Sequence, residues 1–562
     1  MPPARPDLLS DPHAGEQANL AFRLDAGLRS APTRRALLWL ERGERIGSDL
    51  TAADLRQRST ALARELIEKI PARSQMLLVM PPGPEFTIAL LACLYAGQVA
   101  VPLPMPRPGA PADRLQAVVA DADARFVLST AEGVEALRPS VPDMTLIAVT
   151  ADAPQADAPE AAWPGLALAP TDTVVVQYTS GSTRTPRGVA LSGANIVANA
   201  WLVAEDWQLR QDELMLSWLP HYHDMGLMGS LLFPLLWGVP VVQMSPLAFV
   251  QKPVRWLRAV QAWGATMSGG PAFAFALCLE TIPADQHAAF ELRSWRLAYC
   301  GAEPVPAALM QRFREAFGPS GLAADAVFAT YGLAEAALFV AGRPGVWTEQ
   351  GGRPAPASTE PCLLGEATRP FLRIVDPETL AVLPDGEAGE IWACGPSIAM
   401  GYLTQGLDGV FGQRLEGDTS AWLRTGDIGL IDGAVLRITG RRKDILIAHG
   451  GNVAAADVEW LAATEDEALN PHAAAAFNLY ADGTGGIALL IETRDGRAAI
   501  GDAEALSKRI IAVVRAGLSL EIELLCFVKR GALDRTSSGK IRRQTVAERV
   551  RAGHRYTPAT MP

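Results

Sequence analysis

Cysteine is sparse in this chain and never closely paired. Its six copies (Cys93, Cys278, Cys300, Cys362, Cys394 and Cys526) are scattered over 562 residues, a pattern that excludes zinc-type or redox spacing and fits reduced thiols in a cytoplasmic protein. Excess positive charge is also missing. A net charge of −11 excludes a general binder of nucleic acid or anionic membrane, but leaves room for a local basic cluster around a nucleotide. The first thirty residues carry charges throughout and no apolar core, so no signal peptide is expected. Residues 225–251, "MGLMGSLLFPLLWGVPVVQMSPLAFVQ", are uncharged and long enough to span a bilayer, but Pro234, Gly238, Pro240 and Pro246 interrupt them. A short buried helix, a turn and the strand "VPVVQM" are expected there, not a membrane span. The Gly-Lys-Ser/Thr ending of the common nucleotide loop is absent too: Gly539-Lys540 is followed by Ile541. Any nucleotide site must be of another kind.

What is present describes a core-forming protein of more than one domain, with 49% hydrophobic and 20% charged residues. The N-terminal half alternates strand and helix patterns. "QMLLVMPP", "QVAVPLPM" and "RFVLST" read as strands around the helices "EFTIALLACLYAG" and "ADRLQAVVADADA", and the alternation resumes with "TVVVQYTS", "GANIVANAWLVAEDW", "ELMLSWLP" and "SWRLAYCGAEP". Such order predicts parallel sheets with right-handed crossovers. Between residues 366 and 402 the pattern becomes antiparallel, with strands around an Asp-Gly turn. After the hairpin "IGLIDGAVLRITG" and the turn "RRKD", a smaller α+β pattern begins. The expected fold class is α/β: a large domain, 1–441, of parallel and mixed sheets with helices and a small antiparallel section. A small α+β domain, 442–562, completes it.

Five short segments carry chemistry. In "VVVQYTSGSTRTPRGVALSG" (174–193) a buried strand empties into small and hydroxylated residues followed by Arg184 and Arg187. Small residues let the backbone approach a ligand, and successive N–H groups can form a nest for an anion, so this loop reads as a phosphate holder. "WLPHYHDMG" (218–226) sets His221, His223 and Asp224 beside Tyr222 at the start of a helix; alone it fits a metal pair or a satisfied turn. "ATYGLAEA" (329–336) presents Tyr331 and Glu335, "WLRTGDIG" (422–429) presents Asp427 in a turn between strands, and "RTSSGKIRR" (535–543) presents Lys540 in a loop.

In this order the five segments resemble the adenylate-forming enzymes, and within them the fatty acyl-AMP ligases, over about residues 30 to 550. "SGSTRTP", "SWLPHYHDMGLMGSLLFPL", "MSGGPAFAFALCLETI" and "GAEPV" carry the narrower likeness. The resemblance implies that ATP and a fatty acid give acyl-AMP and pyrophosphate, and that a thiol then displaces AMP. It implies that Thr179, Ser180, Gly181, Ser182 and Thr183 hold the β- and γ-phosphates, with Arg184 and Arg187 supplying charge. Glu335, with Thr183, would hold Mg2+. Gly301, Ala302 and Glu303 would lie against adenine, backed by Tyr331 and Gly332. Asp427 would accept both ribose hydroxyls, and Arg441 would reach the ribose or α-phosphate. Lys540 would bridge carboxylate and α-phosphate, His223 would line the acyl pocket, and Lys443 would be the hinge of the small domain, which the resemblance implies is a mobile lid.

Several positions depart from the family pattern: Gly193, Cys300 and Ala272 replace a usual histidine and two asparagines, and Ala454-Ala455 replace a frequent Tyr-Pro pair. The segment "ALFVAGRPGVWTEQGGRPAPASTEPCLLGE", where the fatty acyl-AMP ligases carry an insertion linked to poor use of CoA, is short. No Asp-Ser-Leu carrier motif is present. The acceptor expected is therefore the phosphopantetheine of a separate acyl carrier protein, with an acyl-CoA ligase as the alternative. A nucleotide-binding regulator without activity would lack Lys540, Glu335 or Asp427, and all three are there.

Overall fold

Two seven-stranded sheets carry the larger part of the chain. The computed structural model describes residues 19–106, 112–152, 167–179, 186–346, 359–404, 409–448, 451–480, 486–494, 502–518, 520–536 and 540–556. One sheet runs Val327–Ala329, Leu297–Cys300, Met267–Gly270, Met215–Ser217, Val241–Met244, Arg35–Glu41, Arg45–Thr51 and is parallel except for its last hairpin. The other runs Gly401–Tyr402, Arg187–Ser192, Thr173–Thr179, Val99–Leu103, Gln75–Val79, Phe126–Ser129, Thr145–Ala148; its last five strands are parallel and its first pairs antiparallel. Both therefore contain the expected βαβ crossovers.

The reasons are local. Helix Pro84–Tyr95 starts with proline at its first position, follows Gly83, and is buried all round, as an apolar sequence on every face requires. Helix Ala52–Lys69 begins with a reciprocal capping box between Thr51 and Asp54. The uncharged stretch after residue 224 breaks as expected. A π-helix, Met225–Leu232, passes into the short helix Phe233–Leu236, and strand Val241–Met244 follows Pro240. Among the described residues no helix is long and apolar enough to cross a membrane.

A five-stranded antiparallel sheet (Cys362–Leu363, Val435–Arg441, Leu423–Asp432, Gly389–Ala393, Leu372–Val375) forms the predicted antiparallel section. Beyond it stands a smaller body. Strands Leu469–Asn478, Ile487–Thr493 and Ile522–Val528 make a mixed sheet, covered by helices Ala455–Ala463, Ala503–Leu518 and Arg543–Arg551. The buried apolar clusters separate along the chain. Those of the large body reach Leu436, and those of the small body begin at Leu446.

The small body contains one carboxylate that cannot be solvated. Glu492 is fully buried in strand Ile487–Thr493, where it accepts from Leu533 N–H at 2.9 Å and from Arg535 Nη2 at 2.8 Å. Removing one partner of such a pair strands the other. Glu492→Ala is therefore expected to lower stability by about 3–5 kcal/mol, read as a fall in the urea midpoint of the small body. An unchanged midpoint would show that Arg535 relaxes to solvent.

Candidate active site

The strand expected at the head of the phosphate-loop segment is present, and it is paired with a return strand that the sequence reading did not assign. Thr173–Thr179 turns back on itself as a hairpin with Arg187–Ser192, and Thr179 and Arg187 are cross-strand partners. Ser180, Gly181, Ser182, Thr183 and Arg184 lie outside the described residues, between those two ends. Val189 of the returning strand pairs with Tyr402. Arg187 places its guanidinium 5.2 Å from the Tyr402 ring centre, and Tyr402 donates its hydroxyl to Glu335 Oε1 at 2.9 Å. Burial pushes the Glu335 carboxyl above its ordinary range despite the tyrosine, and the Asp224 carboxylate adds to the rise. A cation would relieve that combination.

Asp427 corrects the sequence reading in detail. It is not in a turn but inside strand Leu423–Asp432, opposite Arg441. Its two oxygens are already engaged, Oδ2 by the Tyr331 hydroxyl at 2.6 Å and Oδ1 by Arg441 Nε at 3.1 Å. A carboxylate has about four lone-pair positions, so both ribose hydroxyls could still be accepted. Gly301 follows strand Leu297–Cys300 and has no room for a side chain: a Cβ would stand 2.5 Å from Thr330 Oγ1. Ala302 adopts φ +67°, and Glu303 takes Phe273 N–H at 3.1 Å, at the start of helix Ala272–Thr281. Glu303 thus caps a helix, a role its sequence context did not announce. At Gly332 a Cβ would meet the Leu338 carbonyl at 1.8 Å, so only glycine fits.

His223 and Asp224 open the π-helix. His223 Nδ1 lies 2.6 Å from Asp224 Oδ1, and Asp224 caps the helix by accepting from Met225 N–H at 2.7 Å. Burial pulls the Asp224 carboxyl up, but His223 and then Lys540 outweigh it and hold it below its usual value. His221 takes no part. It is buried against Phe86 (ring centres 4.8 Å apart), and burial drives its pKa down to about 4. The metal-pair reading of the two histidines is not supported, and no cluster of three or more metal-ligating side chains occurs among the described residues.

Lys540 comes from the small body. Its backbone is pinned at both atoms, with Lys540 N–H donating to Thr536 Oγ1 at 3.1 Å and Lys540 C=O accepting from Thr536 N–H at 2.8 Å. The ammonium is partly buried among the charges of Asp224, Glu303 and Asp427, not free in a loop. Lys443 sits in the turn Arg442–Asp444. Gln544 donates to the Lys443 carbonyl at 3.0 Å, and Arg543 clamps Asp444 at 2.6 Å while holding Glu459 with Nε and Nη2 at 2.7 and 2.8 Å. Tyr402 was missed by sequence reasoning, and nothing local to "GYL" marks it. The cap role of Asp224 could have been read from an acid standing immediately before an apolar run.

Among the described residues Asp224, Glu303, Asp427 and Arg441 of the large body thus surround one lysine from a second body. The comparisons agree with that geometry. Residues 24–403 match the model of the AMP-binding enzymes, and the chain belongs to that family. Within it the chain is similar to fatty-acid-activating ligases. It is 32% identical to the medium-chain-fatty-acid–[acyl-carrier-protein] ligase JamA of Moorena producens, covering 91% of each chain. It is 32% identical to the long-chain-fatty-acid–AMP ligase FadD28 of Mycobacterium bovis, over 89% of this chain and 92% of the relative. A solved structure from work on the fatty acyl-adenylate ligases of E. coli and L. pneumophila superposes with a TM-score of 0.82 at 27% identity, covering 95% and 98%.

Burial lowers the Lys540 pKa below that of a free lysine, and Asp224 and Glu303 only partly offset it. The group loses its proton as pH rises through this lowered value, so a rate that needs the ammonium should fall on the alkaline side before pH ~10.4. In kcat/KM for ATP, which reports the free enzyme, the alkaline limb is expected below that pH. A limb at or above it would mean that Lys540 is solvated.

Proposed function

We propose that this protein activates a fatty acid with ATP as acyl-AMP, releasing pyrophosphate, and passes the acyl group to the phosphopantetheine thiol of a separate acyl carrier protein. One observation carries the reading: Lys540 of the small body stands within the field of Asp224, Glu303 and Asp427 of the large one. The named activities of the relatives support it. In the first step a carboxylate oxygen of the acid bonds to the α-phosphorus as pyrophosphate leaves. Lys540 would neutralise the carboxylate and α-phosphate oxygens as they crowd together. Thr179 to Thr183, Arg184 and Arg187 would hold the departing phosphates, and Asp427 the ribose, with Arg441 beside it. Gly301, Ala302, Gly332 and Tyr331 would frame the base, and His223, fixed by Asp224, would line the acid. In the second step the thiol sulfur bonds to the acyl carbon and AMP leaves.

The residues suit magnesium. Glu335 and the Thr183 hydroxyl, the latter outside the described residues, would offer oxygen donors only, and a half-buried carboxylate raised further by Asp224 suits a small hard cation held partly by substrate phosphates. Bound there, Mg2+ would neutralise phosphate charge. We take the domain boundary between residues 441 and 442, supported by the separation of the two cores, and Lys443 as the hinge. A cytoplasmic location is supported by six free cysteines, five of them buried.

Lys540→Ala should lower acyl-AMP formation by ~10²–10³-fold while largely sparing thiol transfer from supplied acyl-AMP. Equal loss in both half-reactions would refute the two-orientation role. Glu335→Gln should require far more magnesium for turnover with acid binding unchanged; full activity at low magnesium would make Glu335 structural. With ATP and a fatty acid, acyl-AMP is expected to accumulate, to drain slowly into free CoA and quickly into a phosphopantetheinylated carrier, whose protein surface helps orient the thiol. Equal rates at saturating acceptors would assign the protein to the acyl-CoA ligases.

A further inference from the structure

The junction of the two bodies contains contacts that the chemistry does not use. Helix Ala272–Thr281 meets the small body at its last turn, and its start is held by a residue in the field of Lys540. Near its start Phe273 N–H is held by Glu303, which also faces Lys540. In its last turn stands Glu280, and Arg494 Nη1 reaches Glu280 Oε1 at 2.7 Å. Arg494 is itself fixed, because its Nε donates to the Leu469 carbonyl at 2.8 Å. The small body's sheet therefore presents the guanidinium in one place.

Beside the pair lies a cavity of about 220 Å³, walled by Ala276, Leu279 and Leu309 on one side and Trp460, Ala463 and His472 on the other. Facing walls separated by a void forgo their dispersion contacts. Apolar packing at this place does little to set the orientation of the small body, so the polar pair has the larger share. Glu280 also sits where the negative end of its helix disfavours an acid, a cost that an opposing cation removes.

We infer that Glu280 and Arg494 form a latch holding the small body in the orientation that delivers Lys540, and that the latch opens for the thiol step. The inference rests on the two-orientation reading above. Both are positioning residues, since neither belongs to the groups gathered around the reacting atoms. Their side chains are 38% and 40% exposed, and exposed pairs are weak. A contact that must break in every turnover has to be weak, or it would trap the first state.

The test is charge reversal in the full chain, with acyl-AMP formation and thiol transfer from supplied acyl-AMP measured separately. Glu280→Arg is the cleaner single change, because Arg494 also holds Leu469. It should slow acyl-AMP formation about 3- to 10-fold, leave transfer equal or faster, and lose most of its effect in 0.5 M salt. Adding Arg494→Glu should restore the ratio of the two rates to within about twofold. Should Glu280→Arg fold poorly by its urea midpoint, Glu280→Gln should move the same ratio about twofold in the same direction. An unchanged ratio, equal loss in both steps, or failure of the double swap to restore the ratio overturns the latch. Lys540→Ala in the same assays separates the two ideas: if it splits the half-reactions and Glu280→Arg does not, only the latch fails.

Discussion

A partly buried ammonium is the constraint around which this molecule is organised. Taking a lysine out of water is costly, and carboxylates have to compensate for it. Here they belong to a different folded body. Asp224 is set by the mouth of a π-helix, Glu303 by the end of a parallel strand and Asp427 by an antiparallel hairpin. Three kinds of secondary structure must agree in space before Lys540 has a place to go. The two bodies have separate cores, so that under the proposed hinge the place would be filled or vacated as a unit.

The same carboxylates have other partners. Asp427 accepts from Tyr331 and Arg441, Glu303 holds a helix start, and Asp224 caps another helix while gripping His223. Each acid is therefore positioned without the lysine, which the small body needs if it is to leave and return to a preformed site.

Much of this was legible in the residues. The alternation of strands and helices gave both parallel sheets, because buried runs such as Val174–Val176 have no other use. Gly238 (φ +68°) and Pro240 end the apolar helix well short of a membrane span, whereas Pro234 is accommodated inside it. Harder to read was anything set by pairing across distance. Asp427 looked like a turn residue because glycine precedes it, yet Gly426 (φ +71°) lies within a long strand at an irregularity of the ladder. The return strand Arg187–Ser192 was not read at all, and only its pairing with Thr173–Thr179 reveals it. Tyr402 lies more than sixty positions from Glu335, and only the edge pairing of Gly401–Tyr402 brings it there. Glu303 was read as part of an adenine wall, and the sequence did not show that it also holds a helix start thirty residues earlier.

The clamp formed by Arg543 has a mechanical meaning. One guanidinium ties Asp444, next to the proposed pivot, to Glu459 in the first helix of the small body, and it stands three residues after Lys540. Pivot, helix and lysine are thus parts of one stiff lever. If the proposed hinge turns, these described parts would turn with it, and Lys540 would have no independent search to make: its position would follow from a single angle.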